Sequence, residues 1–490
     1  MISKPSLPID YSIHLFSTCA FILSLLLFSN IAHKKKIIRP ESNRRIVHVF
    51  VGLLVSSSPL IFSSNLFPFI IGISFILVNL ISVKINAFQG IHAQERESYG
   101  TIYFPLSYAI IVLFFWEESK FVITSLLILS ISDPLAGYIG NKLGSLKQFK
   151  IWYDEKTFQG TLTFLLSTIL ILSFSVFYFD KYNWIQSILF VLIVSIFATV
   201  SEIMSKKGSD NLSIPLISIL MMIALEEKFI YNQESFVIIN LLSHLVIMAT
   251  ILYLSHKVGA LSLSGFFGAS MMGCLLILYG IPFHFILLAS FFIFSSCLNI
   301  FIRKLKSLKT KNSQRSVVQV ICNGGIPLLI CIISHFQPNL IFNYLFAASV
   351  ATAMSDTWAT EFGKFSKVKP FAIVSFKTVS HGLSGGVTFI GTIGSLIGSC
   401  IIGLLAYYLI SMDKILIFGI ILCGFLGSIV DSILGDLIQS KYKTSSGQIV
   451  EIQENDSIII SGYSLVDNNI INLLATASGP LLMYLYIKII

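Results

Sequence analysis

Charged residues are scarce in this 490-residue chain: 12% of positions, about half the share of an ordinary soluble domain. With 55% hydrophobic residues, that scarcity excludes a soluble globular protein. The seven cysteines all fall in apolar runs and none forms a C-x-x-C pair, which excludes a disulfide framework and a zinc site. The nine histidines show no paired metal spacing, and His48 and His381 read as ordinary side chains near a membrane edge. No Walker A sequence, His-Arg-Asp kinase loop or Gly-x-Gly-x-x-Gly fingerprint is present, so the soluble nucleotide-binding folds are excluded as well.

Long apolar runs are abundant. About sixteen have the roughly 17–25 residues that a spanning helix needs. They predict an all-α polytopic membrane protein in two duplicated, parallel-oriented halves. Tyr11–Ala32 is too long for a cleavable signal and ends in His33-Lys34-Lys35-Lys36, so it reads as a spanning helix. With the N-terminus outside, 27 of the 33 Lys and Arg residues fall in inner loops, as the positive-inside rule requires. The net charge of +9 is therefore a mark of orientation, and no nucleic-acid partner is expected.

Two stretches carry the function. ISDPLAGYIGNKLG (131–144) places Asp133 at the end of an apolar run, followed by Ala136, Gly140 and Gly144. AMSDTWATEFGKFS (353–366) repeats Ser-Asp, with Ala359 and Gly363 at the same offsets from Asp356. Further pieces recur in order. Lys156-Thr157 and Gly160 in the first half are matched by Lys377-Thr378, Gly385 and Gly386 in the second. Glu202 is matched by Asp431 and Asp436, and Asp210-Asn211 by Asp467-Asn468. Singly, each piece is helix punctuation or packing. Four of them recurring in one order, all on the inner face, point to a duplicated functional unit.

The residue types suit a nucleotide phosphate chain. Carboxylates at a membrane edge are costly and usually functional. Carboxylates converging with oxygen ligands suit Mg²⁺, which brings phosphates with it. Glycines admit phosphate oxygens to backbone N–H groups, and lysines offset the charge of a transferring phosphoryl group. A site walled by helices at the inner surface would take a lipid whose polar end reaches the headgroups.

Residues 44–225 resemble the CTP-dependent polyprenol kinases, the dolichol and phytol kinase family within the phosphatidate cytidylyltransferase-like group. The resemblance rests on Arg44-Arg45-x-x-His48, RESYGTIYFPLS (96–107), the Asp133-to-Gly144 motif, KTFQGT (156–161), and Glu202 with Asp210-Asn211 and Pro215. Residues 250–490 resemble the membrane-protein family that includes the plant phytyl-phosphate kinase. Here the shared stretches are LSLSG (261–265), QRSVVQVICNGG (314–325), SDTWATEFG (355–363), FKTVSHGLSGGVT (376–388), GSIVDSILGD (427–436) and VDNNIIN (466–472). Residues 1–40 form an N-terminal spanning helix, 41–230 the first kinase-like domain and 231–490 the second.

The resemblance implies two kinases fused in series. The first would phosphorylate an isoprenoid alcohol (phytol, geranylgeraniol or farnesol) with CTP and Mg²⁺, and the second would carry the monophosphate to the diphosphate. Chemistry and resemblance together assign Asp133, Glu202, Asp210 and Asn211 to catalysis in the first half, and Asp356, Glu361, Asp431 and Asp467 in the second. Gly140, Gly144, Lys156, Thr157 and Gly160 would handle nucleotide phosphates, as would Lys377, Gly385 and Gly386. Asp133, Asp210, Asp356, Asp431 and Asp436 are the candidate metal ligands, and Arg96, Arg315, Asn323 and Gly324 the candidate substrate contacts. A cytidylyltransferase and a transporter are the rival readings. In a bacterial cell the inner membrane would be the location, with both sites on the cytoplasmic face.

Overall fold

The computed structural model describes residues 11–85, 98–143, 148–179, 182–231, 235–306, 314–454 and 456–490. The candidate residues Arg96 and Gly144 lie outside them. The chain divides into two compact units, residues 1–238 and 239–490. Among the described residues eleven helices are long and apolar enough to cross a membrane, and Gly100–Phe114 and Leu263–Tyr279 are shorter apolar helices. The sixteen expected spans are thus not all matched. Helices such as Pro40–Ser56 and Asp210–Tyr231 bear too much charge or are too short to count by hydropathy.

Unit 1 contains α1 (Tyr11–Lys34), α2 (Pro40–Ser56), α3 (Leu66–Lys84), α4 (Gly100–Phe114), α5 (Ser119–Leu127), α6 (Asp133–Leu143), β1 (Gln148–Lys150), β2 (Glu155–Thr157), α7 (Phe158–Phe179), α8 (Trp184–Ile203) and α9 (Asp210–Tyr231). Helices dominate because lipid offers no partner for a bare N–H or C=O, and a helix satisfies its own. A π-helical turn, Ile128–Ser132, joins α5 to α6, so the span runs on from Trp116 to Leu143. Asp133 therefore lies within a continuous helix and not at its end, as the sequence had suggested. Hydropathy marks where a run turns polar, but Pro134 sits where a first-turn proline is tolerated and the helix continues.

The wide turn is well supported. His48 Nε2 donates to the Leu129 carbonyl (3.2 Å), Ser130 Oγ to the Leu126 carbonyl (2.5 Å), and Thr168 Oγ1 to Ser132 Oγ (3.2 Å). β1 and β2 form a short antiparallel hairpin with Phe149 opposite Lys156, and it delivers the chain directly into α7.

Unit 2 comprises α10 (Ser235–Lys257), α11 (Leu263–Tyr279), α12 (Pro282–Lys306), α13 (Val317–Phe336), α14 (Ile341–Gly363), β3 (Phe371–Ala372), β4 (Gly386–Val387), α15 (Phe389–Leu409), α16 (Lys414–Leu437), β5 (Lys441–Lys443), β6 (Ile449–Val450), β7 (Ile458–Ser461) and α17 (Asn468–Ile489). Its centre is α14, packed against α12, α13, α15, α16 and α17. Alanine and serine dominate its buried stretch Phe346–Ser355, and such small side chains let membrane helices approach closely. β3 and β4 pair antiparallel, with Phe371 opposite Val387, and again lead straight into a helix. The strands β6, β5 and β7 form a small sheet between α16 and α17.

Candidate active site

In unit 1 the sequence-predicted residues converge on one lysine. Strand β2 places Lys156 Nζ 2.7 Å from Glu202 Oε1 near the end of α8, and 3.2 Å from Asp210 Oδ2 at the start of α9. Both carboxylates are almost fully buried. Thr161 Oγ1 donates to the other Glu202 oxygen (3.3 Å), and Asn211 Nδ2 to Asp210 Oδ1 (3.2 Å). Asp133 is within electrostatic reach of Lys156, Asp210, Glu202 and Arg44. Burial disfavours the Lys156 charge, but Glu202, Asp210 and Asp133 outweigh it and hold its pKa above the usual lysine range. The site is thus a buried ammonium ion paired with two carboxylates, with a third, Asp133, in electrostatic reach.

Two glycines of the motif serve close packing. A methyl on Gly140 would lie 2.6 Å from Thr157 Oγ1, and one on Gly160 would lie 2.8 Å from the same oxygen and 3.0 Å from the Ala136 carbonyl. Thr157 Oγ1 accepts from Gly160 N (3.2 Å), which ties β2 to the first turn of α7.

Unit 2 contains the same constellation. Thr388 Oγ1 accepts from Gly391 N (3.1 Å), and a methyl on Gly391 would meet that oxygen at 2.9 Å and the Ala359 carbonyl at 3.0 Å, beside Gly363. Thr388 is therefore the counterpart of Thr157, and Val387 that of Lys156. The sequence pairing of Lys156-Thr157 with Lys377-Thr378 is corrected. Thirteen residues separate β3 from β4 against four between β1 and β2, so counting from the aspartates lands in the longer loop. Lys377 is exposed on that loop.

The predicted residues of unit 2 separate into groups. Asp356 and Asp431 face each other at hydrogen-bonding reach, with Glu451 close enough to act on Asp431 electrostatically. With its amide oriented to suit its neighbours, Asn472 donates to Asp431 Oδ2 (3.3 Å). The loop holding Gly385 lies beside this pair: Ser384 N donates to Glu451 Oε1 (2.5 Å) and Ser384 Oγ to Asn468 Oδ1 (3.3 Å). Asp436 instead fastens the loop before Lys377, accepting from Ser375 N (2.8 Å), Val374 N (3.2 Å) and Lys441 Nζ (3.4 Å). Gly385 has a positive φ of 83° and sits against Asp436, where a methyl would come within 2.6 Å of its Cβ. Gly386 lies in β4.

Asp467 caps α17, accepting from Ile470 N (3.0 Å). Glu361 forms a separate group: its Oε1 accepts from Lys364 Nζ (2.6 Å) and Asn299 Nδ2 (2.8 Å).

Each unit also has a half-open cavity. The first is walled by Ile22, Leu26, Val55, Phe75 and Phe104, and its polar end carries Arg44, His48, Asn79 and Asn211. Gly100 closes that end against Asn211 Nδ2 and Arg44 Nη2. The second is lined by α10 to α13 and contains Arg315, Asn323 and Gly324. Sequence reasoning missed Arg44, Glu451 and Asn472 as site residues. Arg44, His48 and Asn472 belonged to quoted motifs, whereas nothing marked Glu451.

Among the described residues no three Asp, Glu, His or Cys side chains converge tightly enough to hold a metal alone. The donor chemistry still fits Mg²⁺, which is usually held by one or two carboxylates with water and substrate phosphates. Asp356 and Asp431 are such a pair, while in unit 1 Lys156 already engages Glu202 and Asp210.

The family profile described as "Integral membrane protein DUF92" matches residues 246–480, wholly within unit 2. The chain is 33% identical over 206 residues to the "Uncharacterized membrane protein MJ0933" of Methanocaldococcus jannaschii, covering 85% of that protein and 42% of this chain. The chain belongs to the DUF92 family of integral membrane proteins. Asp356, Asp431 and the cavity arginine Arg315 all lie inside the DUF92 match. This DUF92 protein is also similar to phytol kinase 1 of Arabidopsis thaliana, 28% identical over 38% of this chain and 67% of the relative. The phytol kinase of Synechocystis is 24% identical over 43% of this chain and 90% of the relative. No solved structure matches the chain.

Proposed function

We propose that the protein phosphorylates an isoprenoid alcohol in unit 1 and its monophosphate in unit 2, with CTP as donor and Mg²⁺ bound at each site, on the cytoplasmic face of the membrane. The observation that carries this reading is the meeting of an apolar cavity and a charged set at Asn211, which lines the cavity and donates to Asp210 beside Lys156. The similarity to phytol kinases supports the substrate class.

In unit 1 the isoprenoid chain lies along the cavity and its hydroxyl reaches the end formed by Arg44 and Asn211. Asp133 takes the hydroxyl proton as the alcohol oxygen attacks the γ-phosphorus. The bond from that phosphorus to the β,γ-bridging oxygen breaks, and CDP leaves. Lys156 and Arg44 offset charge on the transferring phosphoryl oxygens, which is most of what such transfers require of a protein. In unit 2 Asp356 and Asp431 would hold Mg²⁺, where the ion would neutralise phosphate charge; in unit 1 the ion would come with the CTP phosphates and draw on Asp210, with Asp133 kept for the hydroxyl proton.

The test is to incubate membranes carrying the protein with phytol, geranylgeraniol or farnesol, Mg²⁺ and γ-labelled CTP, and to resolve the lipids. Label in both mono- and diphosphate is the expected result. Label entering only from the α-position would replace this reading with a cytidylyltransferase. No label from either position, with the protein present in the membrane, would leave a transporter.

A further inference from the structure

The cavity of unit 2 has a polar end of its own. Its walls are apolar, from Met248 and Leu252 on α10, Met272 on α11 and Phe285 and Leu288 on α12. One charged side chain enters it. The Arg315 guanidinium rests over the rings of Phe291 (5.3 Å) and Phe292 (5.5 Å). Among the described residues it has no carboxylate within ion-pair distance. Glu361 acts on it from farther off, with Oε1 already engaged by Lys364 and Asn299.

The main chain fixes this arginine. Arg315 N donates to the Ala260 carbonyl (3.0 Å), and its own carbonyl accepts from Ser262 N (3.1 Å) and Ser262 Oγ (3.2 Å). The approach is so close that a methyl on Gly265 would fall 2.1 Å from the Arg315 carbonyl oxygen. The LSLSG and QRSVV stretches are thus two sides of one brace that aims a cation into an apolar chamber. A half-buried charge whose nearest carboxylate lies beyond ion-pair distance is left partly uncompensated, and a guanidinium stacked on aromatic faces still offers its edge N–H groups to a phosphate.

We propose that this cavity is the seat of an isoprenyl monophosphate, with the single apolar tail between α10, α11 and α12 and the phosphate on Arg315. The assignment rests on the reading of unit 2 as acting on a phosphorylated isoprenoid, and it names the residues that select that intermediate over the alcohol. A neutral alcohol leaves the guanidinium unmatched, whereas a phosphate monoester brings the anion that this arginine lacks and a tail suited to the apolar walls. Position agrees: Glu361, which acts on Arg315, follows Asp356 by five residues of α14, about 7.5 Å along the helix.

The test uses the full chain in nanodiscs, without nucleotide, and a geranylgeranyl monophosphate bearing a diazirine near the end of its tail. Mass spectrometry should find crosslinks on Met272, Leu276 or Leu288, competed by unlabelled monophosphate at least tenfold better than by geranylgeraniol. Arg315→Gln should remove that preference, Arg315→Lys should restore part of it, and crosslinks in unit 1 should persist in both as a control for folding. Unchanged preference in Arg315→Gln, or no crosslinks in α11 and α12, overturns the proposal. Because no turnover is involved, Arg315-dependent labelling in a protein that phosphorylates nothing would sink the kinase reading alone. Kinase activity with Arg315-independent labelling would sink this inference alone.

Discussion

Val387 occupies in unit 2 the place that Lys156 occupies in unit 1, each one residue before the threonine that caps the following helix. The two acidic sets therefore differ in how their charge is balanced: unit 1 has a built-in ammonium ion, and unit 2 has a pair of facing carboxylates. Val387→Lys should consequently interfere with a bound cation in unit 2. The Mg²⁺ concentration for half-maximal conversion of monophosphate to diphosphate should rise several-fold, with conversion of alcohol to monophosphate unchanged, in a Mg²⁺ titration with each lipid supplied separately.

Replacing Lys156 by Met leaves Glu202 and Asp210 buried without their shared cation. Breaking a buried ion pair in this way costs about 3–5 kcal/mol, so thermal unfolding of the variant should begin well below that of the parent. Phosphorylation of the alcohol should fall at least a hundredfold. The folded-state pKa of Lys156 lies above the unfolded value of about 10.4. Its stabilising contribution is then complete below that value and lost only as pH rises through the folded pKa. Between about pH 6 and 9 the rate of the first step should show no limb from this lysine, a point checked by a pH–rate profile of the Lys156→Arg variant beside the parent.

The order of charged motifs along the chain made Asp133, Lys156, Glu202 and Asp210 legible, because carboxylates and a lysine are conspicuous among apolar residues. The partner of Thr157 was not legible, since a hairpin loop can lengthen without disturbing the strands or the helix it feeds. Asp467 and Glu361 read as members of the acidic set, yet one caps α17 and the other pairs with Lys364 and Asn299. The cavities left no trace in composition: a leucine or phenylalanine facing a chamber looks the same in sequence as one facing lipid.

The aspartates should divide the two steps. Asp133→Asn is expected to abolish labelling of the alcohol by at least a hundredfold while supplied monophosphate is still converted. Asp356→Asn should stop the product at monophosphate. Thin-layer separation of the labelled lipids checks both.

Gly140 and Gly363 occupy matching positions but have unequal room. A methyl would meet Thr157 Oγ1 at 2.6 Å in the first case and Thr388 Oγ1 at 3.5 Å in the second. Gly140→Ala should therefore lower the melting temperature by several degrees and weaken the first step, while Gly363→Ala should leave stability and both steps near the parent. Differential scanning fluorimetry in detergent separates the two.

The π-helical turn at Ile128–Ser132 takes up one residue more than an α-turn would. Were it wound as an ordinary helix, everything beyond it would be rotated by about 100° relative to the chain before it. Asp133 would swing off the face that looks toward Lys156, and Gly140 would no longer meet Gly160. Unit 2 brings Asp356 into place on an uninterrupted helix, Ile341–Gly363. A one-residue deletion in the wide turn and a one-residue insertion in α14 are thus opposite edits with the same outcome, a helix whose two ends disagree about which way is in. Indels of a single residue, invisible to any average of hydropathy, are where the sites in this fold are most easily lost.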